Sequence, residues 1–459
     1  MAEKKQSENQ MGLIAATSYI VGTIIGSGIF VSPTAILVHA GSIGLSLIIW
    51  IVGGCIAMLT AIVYIRESGG EFAYITYVGW HPFAFAFLWS TTIITSSCSC
   101  AILITTFGSY VIEAVEPVYC LSSQRKNYAT KLAGFTLLLL LSWTNLFSLK
   151  KYASRVQIIV AAAKLLSVSI IIVTGFYFII FKGSTNNFTN GKLFADSNLK
   201  ASSIVLAAYG GVWAYSGYDV LNYGAEDIKN FKRTLPIAVV GGLLICIIIY
   251  LLTNIAYFAI LTPQQMLDSS AVATTFSKKT LGKFYYAMPA IVAILMMGTI
   301  NSDIFMFSRY MFSGARKRKM PSCLALINEE HDSPRVAVMF HVLCAIAFSF
   351  IGSIGDLINY MIVCGMLQQV FAVSALLWIR YKNIPVNPNF PLILPVLLVL
   401  ISAALVIIPI WNDWRAAAVG FGVVLFWLVI YGLFQWAYPI SFLCLLNGRL
   451  LSTVVLSAS

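Results

Sequence analysis

Two glycine-rich stretches carry the residues best suited to chemistry. The first is Gly22-Thr-Ile-Ile-Gly26-Ser27-Gly28-Ile29-Phe30 and the second Tyr209-Gly210-Gly211-Val212-Trp213-Ala214-Tyr215-Ser216-Gly217-Tyr218. Each interrupts a long apolar run. Glycine lets a backbone leave helical geometry, which frees amide and carbonyl groups. In a bilayer such groups persist only where they line a protein-enclosed or watery cavity. The amides at the start of a half-helix suit a carboxylate, and freed carbonyls suit an ammonium. The backbone of an amino acid carries both. A packing role competes, because Gly22 and Gly26 have the Gly-xxx-Gly spacing of close helix contacts. The pairing of the two breaks, in equivalent positions of two halves, favours a binding site.

Ionisable residues inside apolar runs are costly and are functional candidates by default. Lys164 lies well inside one such run, and snorkelling to an interface is the alternative for its long side chain. Asp219 follows the second glycine-rich stretch. It can pair with a substrate ammonium or a co-bound cation, or it can cap the next half-helix. Cys120, in Glu116-Pro-Val-Tyr-Cys120-Leu, is the one cysteine of nine assigned to an outside loop. An odd cysteine in an oxidising compartment forms an intermolecular disulfide or stays a free thiol. Asn187-Phe188-Thr189 matches a glycosylation sequon. His39, His81, His331 and His341 are dispersed, Cys98-Ser-Cys100 reads as packing, and no metal spacing, nucleophile triad or acid–base constellation stands out. No cofactor is implied, and an enzyme is disfavoured. Asp303 and Arg309 are six positions apart, too far for an i,i+4 contact, and receive no transport role.

The elements that must position these residues follow from composition. The 459 residues are 59% hydrophobic and 10% charged, against about 25% charged in ordinary soluble domains. That excludes a soluble globular domain, a disordered chain and a disulfide scaffold. Twelve segments are long enough to be helices that cross a bilayer: 12–39, 43–65, 80–113, 128–147, 153–181, 201–224, 234–261, 286–314, 335–351, 355–379, 390–411 and 415–437. They are numbered 1 to 12 below. The breaks fall in segments 1 and 6, five helices apart. The spacing predicts a tail over 1–11, a ten-helix core over 12–381, two added helices over 382–437 and a tail over 438–459.

The net charge of +12 reads as membrane orientation and not as nucleic-acid binding, because the basic residues are scattered between apolar runs. With both termini in the cytoplasm, 17 of the 29 Lys and Arg fall inside and 10 outside, and Lys164 and Arg309 lie in spans. The cluster Arg316-Lys-Arg-Lys319 is a cytoplasmic anchor. The polar stretch 1–10 leads straight into segment 1, so no cleavable signal peptide is expected.

These motifs resemble the light, catalytic subunits of heterodimeric amino-acid transporters, the L-type branch of the amino acid–polyamine–organocation superfamily. The carriers are Gly22 to Pro33 in segment 1, and Ile204-Val-Leu-Ala-Ala-Tyr209 through Leu221-Asn222-Tyr223, Glu226-Asp227 and Leu235-Pro236 around segment 6. Arg155-Val-Gln157 through Lys164-Leu165 in segment 5 completes the pattern. The resemblance implies an all-α polytopic membrane protein with twelve transmembrane helices, a LeuT-like 5+5 inverted repeat with helices 1 and 6 broken, and two C-terminal helices. It implies sodium-independent exchange of amino acids, neutral and in some branches cationic, at the plasma membrane. It also implies a disulfide from Cys120 to a single-span glycoprotein heavy subunit. By resemblance Ile25, Gly26, Ser27, Gly28, Ile29, Trp213, Ala214 and Ser216 cradle the substrate, with Trp213 as an aromatic gate. Lys164 stands where related carriers hold sodium, and Asp219 matches an acid found in branches that also carry cationic substrates.

The chain departs from the pattern in two places. Tyr64 is followed by only Ile65-Arg66-Glu67 before Ser68-Gly69-Gly70, a link about six residues shorter than usual for the family. In segment 10, Tyr360-Met361 to Cys364-Gly365-Met366 replaces the aromatic and polar residues of large-neutral-substrate members. A channel and a non-transporting subunit are the competing readings; the first lacks any filter-like segment or ring of charges.

Overall fold

The computed structural model describes residues 12–64, 70–115, 122–146, 150–218, 230–316, 319–328, 333–382, 391–411 and 414–437. Cys120, Asp219 and the shortened link at 65–69 lie outside the described residues. Each of the twelve predicted segments contains a helix. In lipid every backbone polar group needs a protein partner, and a helix supplies one within its own segment for every interior residue.

Among the described residues, eight helices are long and apolar enough to cross a membrane, and a bent pair in segment 1 makes a ninth. The other three segments hold the helices Ser123–Leu146, Ala201–Ala214 and Arg335–Phe348. Segment 1 divides into Leu13–Ile24 and Gly28–Ala40, which meet at a bend of 48°. At the break Ile25 has ψ 86°, outside the helical region. In segment 6 the helix stops at Ala214 and passes into a turn over 215–218. Gly217 in that turn has φ +100°, a conformation that residues with a Cβ rarely adopt.

The packing pairs the segments in a definite pattern. Segment 3 packs on 4, 8, 9 and 10, and segment 8 packs on 9, 3, 4 and 5. Segment 1 packs on 6 and 7, and segment 6 on 1 and 2, while 2 packs on 7. Shifting every number by five maps 3–4, 3–9, 3–10 and 1–7 onto 8–9, 8–4, 8–5 and 6–2, and 3–8, 1–6 and 2–7 onto themselves, as a five-plus-five repeat requires. The added contact of 1 with 2 has no such counterpart among the described residues. The same contacts define two groups, one of segments 1, 2, 6 and 7 and one of 3, 4, 8 and 9. Segment 5 touches 7 and 8, and segment 10 touches 6 and 3, so each bridges the groups.

Segments 11 and 12 attach outside this core, segment 11 against 10, 2 and 6 and segment 12 against 3 and 10. Trp89 and Trp427 stack with centroids 4.3 Å apart and seat segment 12 on segment 3. Within segment 3 a π-helical turn, Thr91–Thr95, joins His81–Ser90 to Ser96–Val115. Single π turns of this kind often sit at functional positions. Here the turn carries Thr91, whose hydroxyl donates to Gln368 Oε1 of segment 10 over 2.7 Å.

Candidate functional site

The two breaks meet at the centre of the first group. A Cβ built on Gly28 would lie 2.8 Å from Ala214 Cα and 2.9 Å from its carbonyl oxygen. Only glycine permits that approach. A Cβ on Gly22, by contrast, would meet nothing within 4 Å, and one on Gly26 would make only ordinary contacts, the nearest side chain being Thr299 of segment 8 at 3.7 Å. The Gly22–Gly26 spacing is therefore not a helix-packing seam in this fold. The tight contact is at Gly28, within the break.

The second half-helix of segment 1 starts at Gly28 with Ser27 as its N-cap, and no side chain caps it. The first amides of a helix have no intrahelical partner. Ser27 and Gly28 therefore present donors and the positive end of the helix dipole, with no acid in the first turn. Ile25, Gly26, Ser27, Gly28 and Ile29 are all buried, as are Trp213 and Ala214 across the contact. Ser216 is exposed at the turn, with its hydroxyl donating to Val212 O over 3.4 Å.

On the opposite side of the break, the carbonyls that end Leu13–Ile24 have partners from other segments. Lys164 donates from Nζ to Gly22 O over 3.1 Å. Its side chain is buried, 3% exposed, and it sits in the middle of the helix Lys150–Lys182. At 1.5 Å per residue the nearer end of that helix is about 21 Å away, so the head group is held by segment 1 and does not snorkel.

Tyr250, on the helix Phe231–Ile260 of segment 7, was not singled out by its sequence context. Its hydroxyl lies 2.7 Å from Ile24 O and 3.1 Å from Ala214 O. One proton thus serves the carbonyls that end both half-helices. The ring is fixed by Trp50 and Tyr215, with centroids 5.2 Å and 5.0 Å away, and all three side chains are fully buried. A second cross-link is the hydroxyl of Ser32, which donates to Gly210 O over 2.8 Å. Tyr250 sits in Leu243-Leu-Ile-Cys-Ile-Ile-Ile-Tyr250, where an aromatic reads as one more apolar residue. No local signal distinguishes it.

Asn187 donates through Nδ2 to Phe258 O over 2.8 Å and to Leu261 O over 3.2 Å, at the end of segment 7. A glycan on that nitrogen would have to displace at least one of these bonds. Arg309 is exposed and stacks on Phe305, 4.3 Å from the ring centre. Asp303 pairs with His341 across segments 8 and 9 at 3.2 Å. Glu113, near the C-terminal end of segment 3, is held by Lys278 at 2.6 Å and Lys126 at 3.4 Å.

Comparison with known proteins matches residues 11–434 to the amino acid permease family. The chain is 41% identical over 436 residues to amino acid transporter protein 6 of Caenorhabditis elegans, covering 93% of this chain and 83% of that one. It is 34% identical over 438 residues to the human Asc-type amino acid transporter 1, covering 92% and 82%. It is 33% identical over 448 residues to the rat b(0,+)-type amino acid transporter 1, covering 95% and 90%.

Proposed function

The chain belongs to the amino acid permease family, and from that premise we propose that it is a sodium-independent exchanger of neutral L-amino acids, with cationic ones included. It is a multi-pass membrane protein and an amino-acid transporter. The substrate carboxylate meets the amides of Gly26, Ser27 and Gly28, flanked by Ile25 and Ile29. Its ammonium meets the freed carbonyls beside Trp213, Ala214 and Ser216, and Trp213 closes over it. Asp219 adds a negative charge for a cationic side chain or a co-bound cation.

The observation that carries the reading is the bond from Lys164 to Gly22 O. A half-helix ends there in a partial negative charge of about half an electron. A sodium ion could satisfy such carbonyls only while bound. The ammonium of Lys164 is covalently attached, so the break stays charge-compensated through the whole cycle. That removes the need for a sodium gradient and leaves exchange as the working mode. Alternating access then moves segments 1, 2, 6 and 7 against 3, 4, 8 and 9, with segments 5 and 10 as the joints.

In this reading the chain is a light subunit at the plasma membrane, with both termini cytoplasmic. Cys120 links it to a single-span glycoprotein heavy chain. The test is co-expression with a heavy subunit and efflux of preloaded labelled leucine or arginine, with and without sodium. Efflux should rise with external amino acid and ignore sodium. Efflux indifferent to external substrate would overturn exchange, and lysine uptake unchanged in Asp219→Asn would remove that residue from the site.

A further inference from the structure

Three dispersed residues of different chemistry converge in the second group of segments. Cys100 comes from segment 3, Asp303 from segment 8 and His341 from segment 9, and all three are buried. One donor atom from each lies within 4.8 Å of the other two. The His341 Nε2 to Asp303 Oδ2 distance is 3.2 Å, and Ser99 donates from its hydroxyl to the other carboxylate oxygen over 2.7 Å. His341 is 0% exposed, and its Nδ1 has no hydrogen-bond partner among the described residues. The ring is held by Phe307, one turn beyond Asp303, with centroids 5.8 Å apart.

We propose that Cys100, Asp303 and His341 form a binding site for a borderline-soft divalent cation of the zinc class. The donor set carries the argument. Thiolate, imidazole and carboxylate are the three ligand types that zinc uses, and hard cations such as magnesium do not take thiolate or imidazole. Metal–ligand distances of about 2.0–2.3 Å in a tetrahedron put the donors about 3.3–3.8 Å apart. The His341–Asp303 spacing of 3.2 Å already matches, and the Cys100 spacings, within 4.8 Å, would close by at most about 1–1.5 Å. Charge is the second argument. A divalent cation with one thiolate, one carboxylate and a neutral imidazole carries no net charge, which suits a buried site between membrane helices. Binding releases the thiol proton of Cys100 to solvent. The fourth position is open to water or to Ser99 Oγ.

The bound ion would join three helices of one group at a single point. Thr299, one turn before Asp303 on segment 8, faces Gly26 in the break of segment 1, its Cγ2 3.7 Å from where a Cβ on that glycine would lie. The staple therefore lies one helical turn from the contact between the groups, and its first consequence is stability.

The experiment titrates the purified full-length chain, stripped of metal, with zinc, cobalt or magnesium chloride. Zinc should raise the melting temperature, and magnesium should not. Cobalt should give the near-ultraviolet thiolate charge-transfer band and tetrahedral visible absorption. Cys100→Ser should abolish the charge-transfer band, and His341→Gln and Asp303→Asn should each weaken binding at least tenfold. Cys323→Ser, at an exposed cysteine outside the cluster, should change nothing. A wild-type chain with no zinc-dependent shift would overturn the proposal. So would a cobalt thiolate band that survives in Cys100→Ser, or a full zinc shift retained in His341→Gln. Wild-type and Cys323→Ser responses decide the matter even where a cluster variant does not fold.

Discussion

The ammonium of Lys164 and the carbonyl of Gly22 are 3.1 Å apart, and through that bond a fixed charge sits at the end of a half-helix. An ionised lysine away from water needs such a partner. The carbonyl, freed by the break after Ile24, needs a donor for the same reason. Lys164→Met keeps the volume and removes the charge. Exchange should fall by about tenfold or more, matching a loss of about 1.4 kcal/mol or more in stabilising one state of the carrier. The residual exchange should become faster in sodium medium than in choline medium, because a cation can then occupy the vacated place. Equal rates in the two media would argue against the substitution of lysine for sodium.

Tyr250 ties Ile24 to Ala214 with one hydroxyl. Tyr250→Phe leaves the ring packed against Trp50 and Tyr215 and removes only the donor. Two buried carbonyls lose it, at a cost of about 1–3 kcal/mol. We expect a lower melting temperature and an exchange rate reduced by about tenfold, with the amount of surface protein little changed. A wild-type rate in this variant would remove Tyr250 from the coupling of the breaks.

Gly28 and Gly22 make a matched pair. Gly28→Ala drives a Cβ to 2.8 Å from Ala214 Cα, whereas Gly22→Ala meets nothing within 4 Å. Overpacking of this kind costs about 1–3 kcal/mol. The first variant should lose transport and melt earlier. The second should transport normally, since its carbonyl still accepts from Lys164. Equal tolerance of both would mean that the breaks do not touch in the working protein.

If Cys120 carries the proposed link, co-expression with a heavy subunit should give a high-mass band on a non-reducing gel, and Cys120→Ser, with the other cysteines intact, should abolish it. The chain should still reach the membrane with its heavy partner through noncovalent contacts, in lower amount. A band that persists unchanged would place the link at another cysteine.

Much of the architecture was legible because hydropathy is a local property. Segment 2, predicted over 43–65, is the helix Ile43–Tyr64. Segment 10, predicted over 355–379, is Ile354–Tyr381. The break in segment 1 was marked by glycines because irregular backbone in a membrane needs residues that tolerate it. Lys164 was conspicuous because a charge in an apolar run is rare. Tyr250 was invisible for the opposite reason, since a tyrosine among isoleucines breaks no pattern.

By itself the sequence determined the number of apolar segments, the places where two of them break, the family of the chain and the one lysine that had to find a partner. All of these depend on composition over a few tens of residues. Only the tertiary structure decided which partner each group found. Lys164 and Gly22 are 142 positions apart and Tyr250 and Ile24 are 226, and each bond depends on how one helix is rotated against another. The same is true of Cys100, Asp303 and His341, which share no spacing in the chain and meet because segments 3, 8 and 9 pack side by side. Helix rotation is set by the fit of many side chains at once, and no short stretch of sequence contains it.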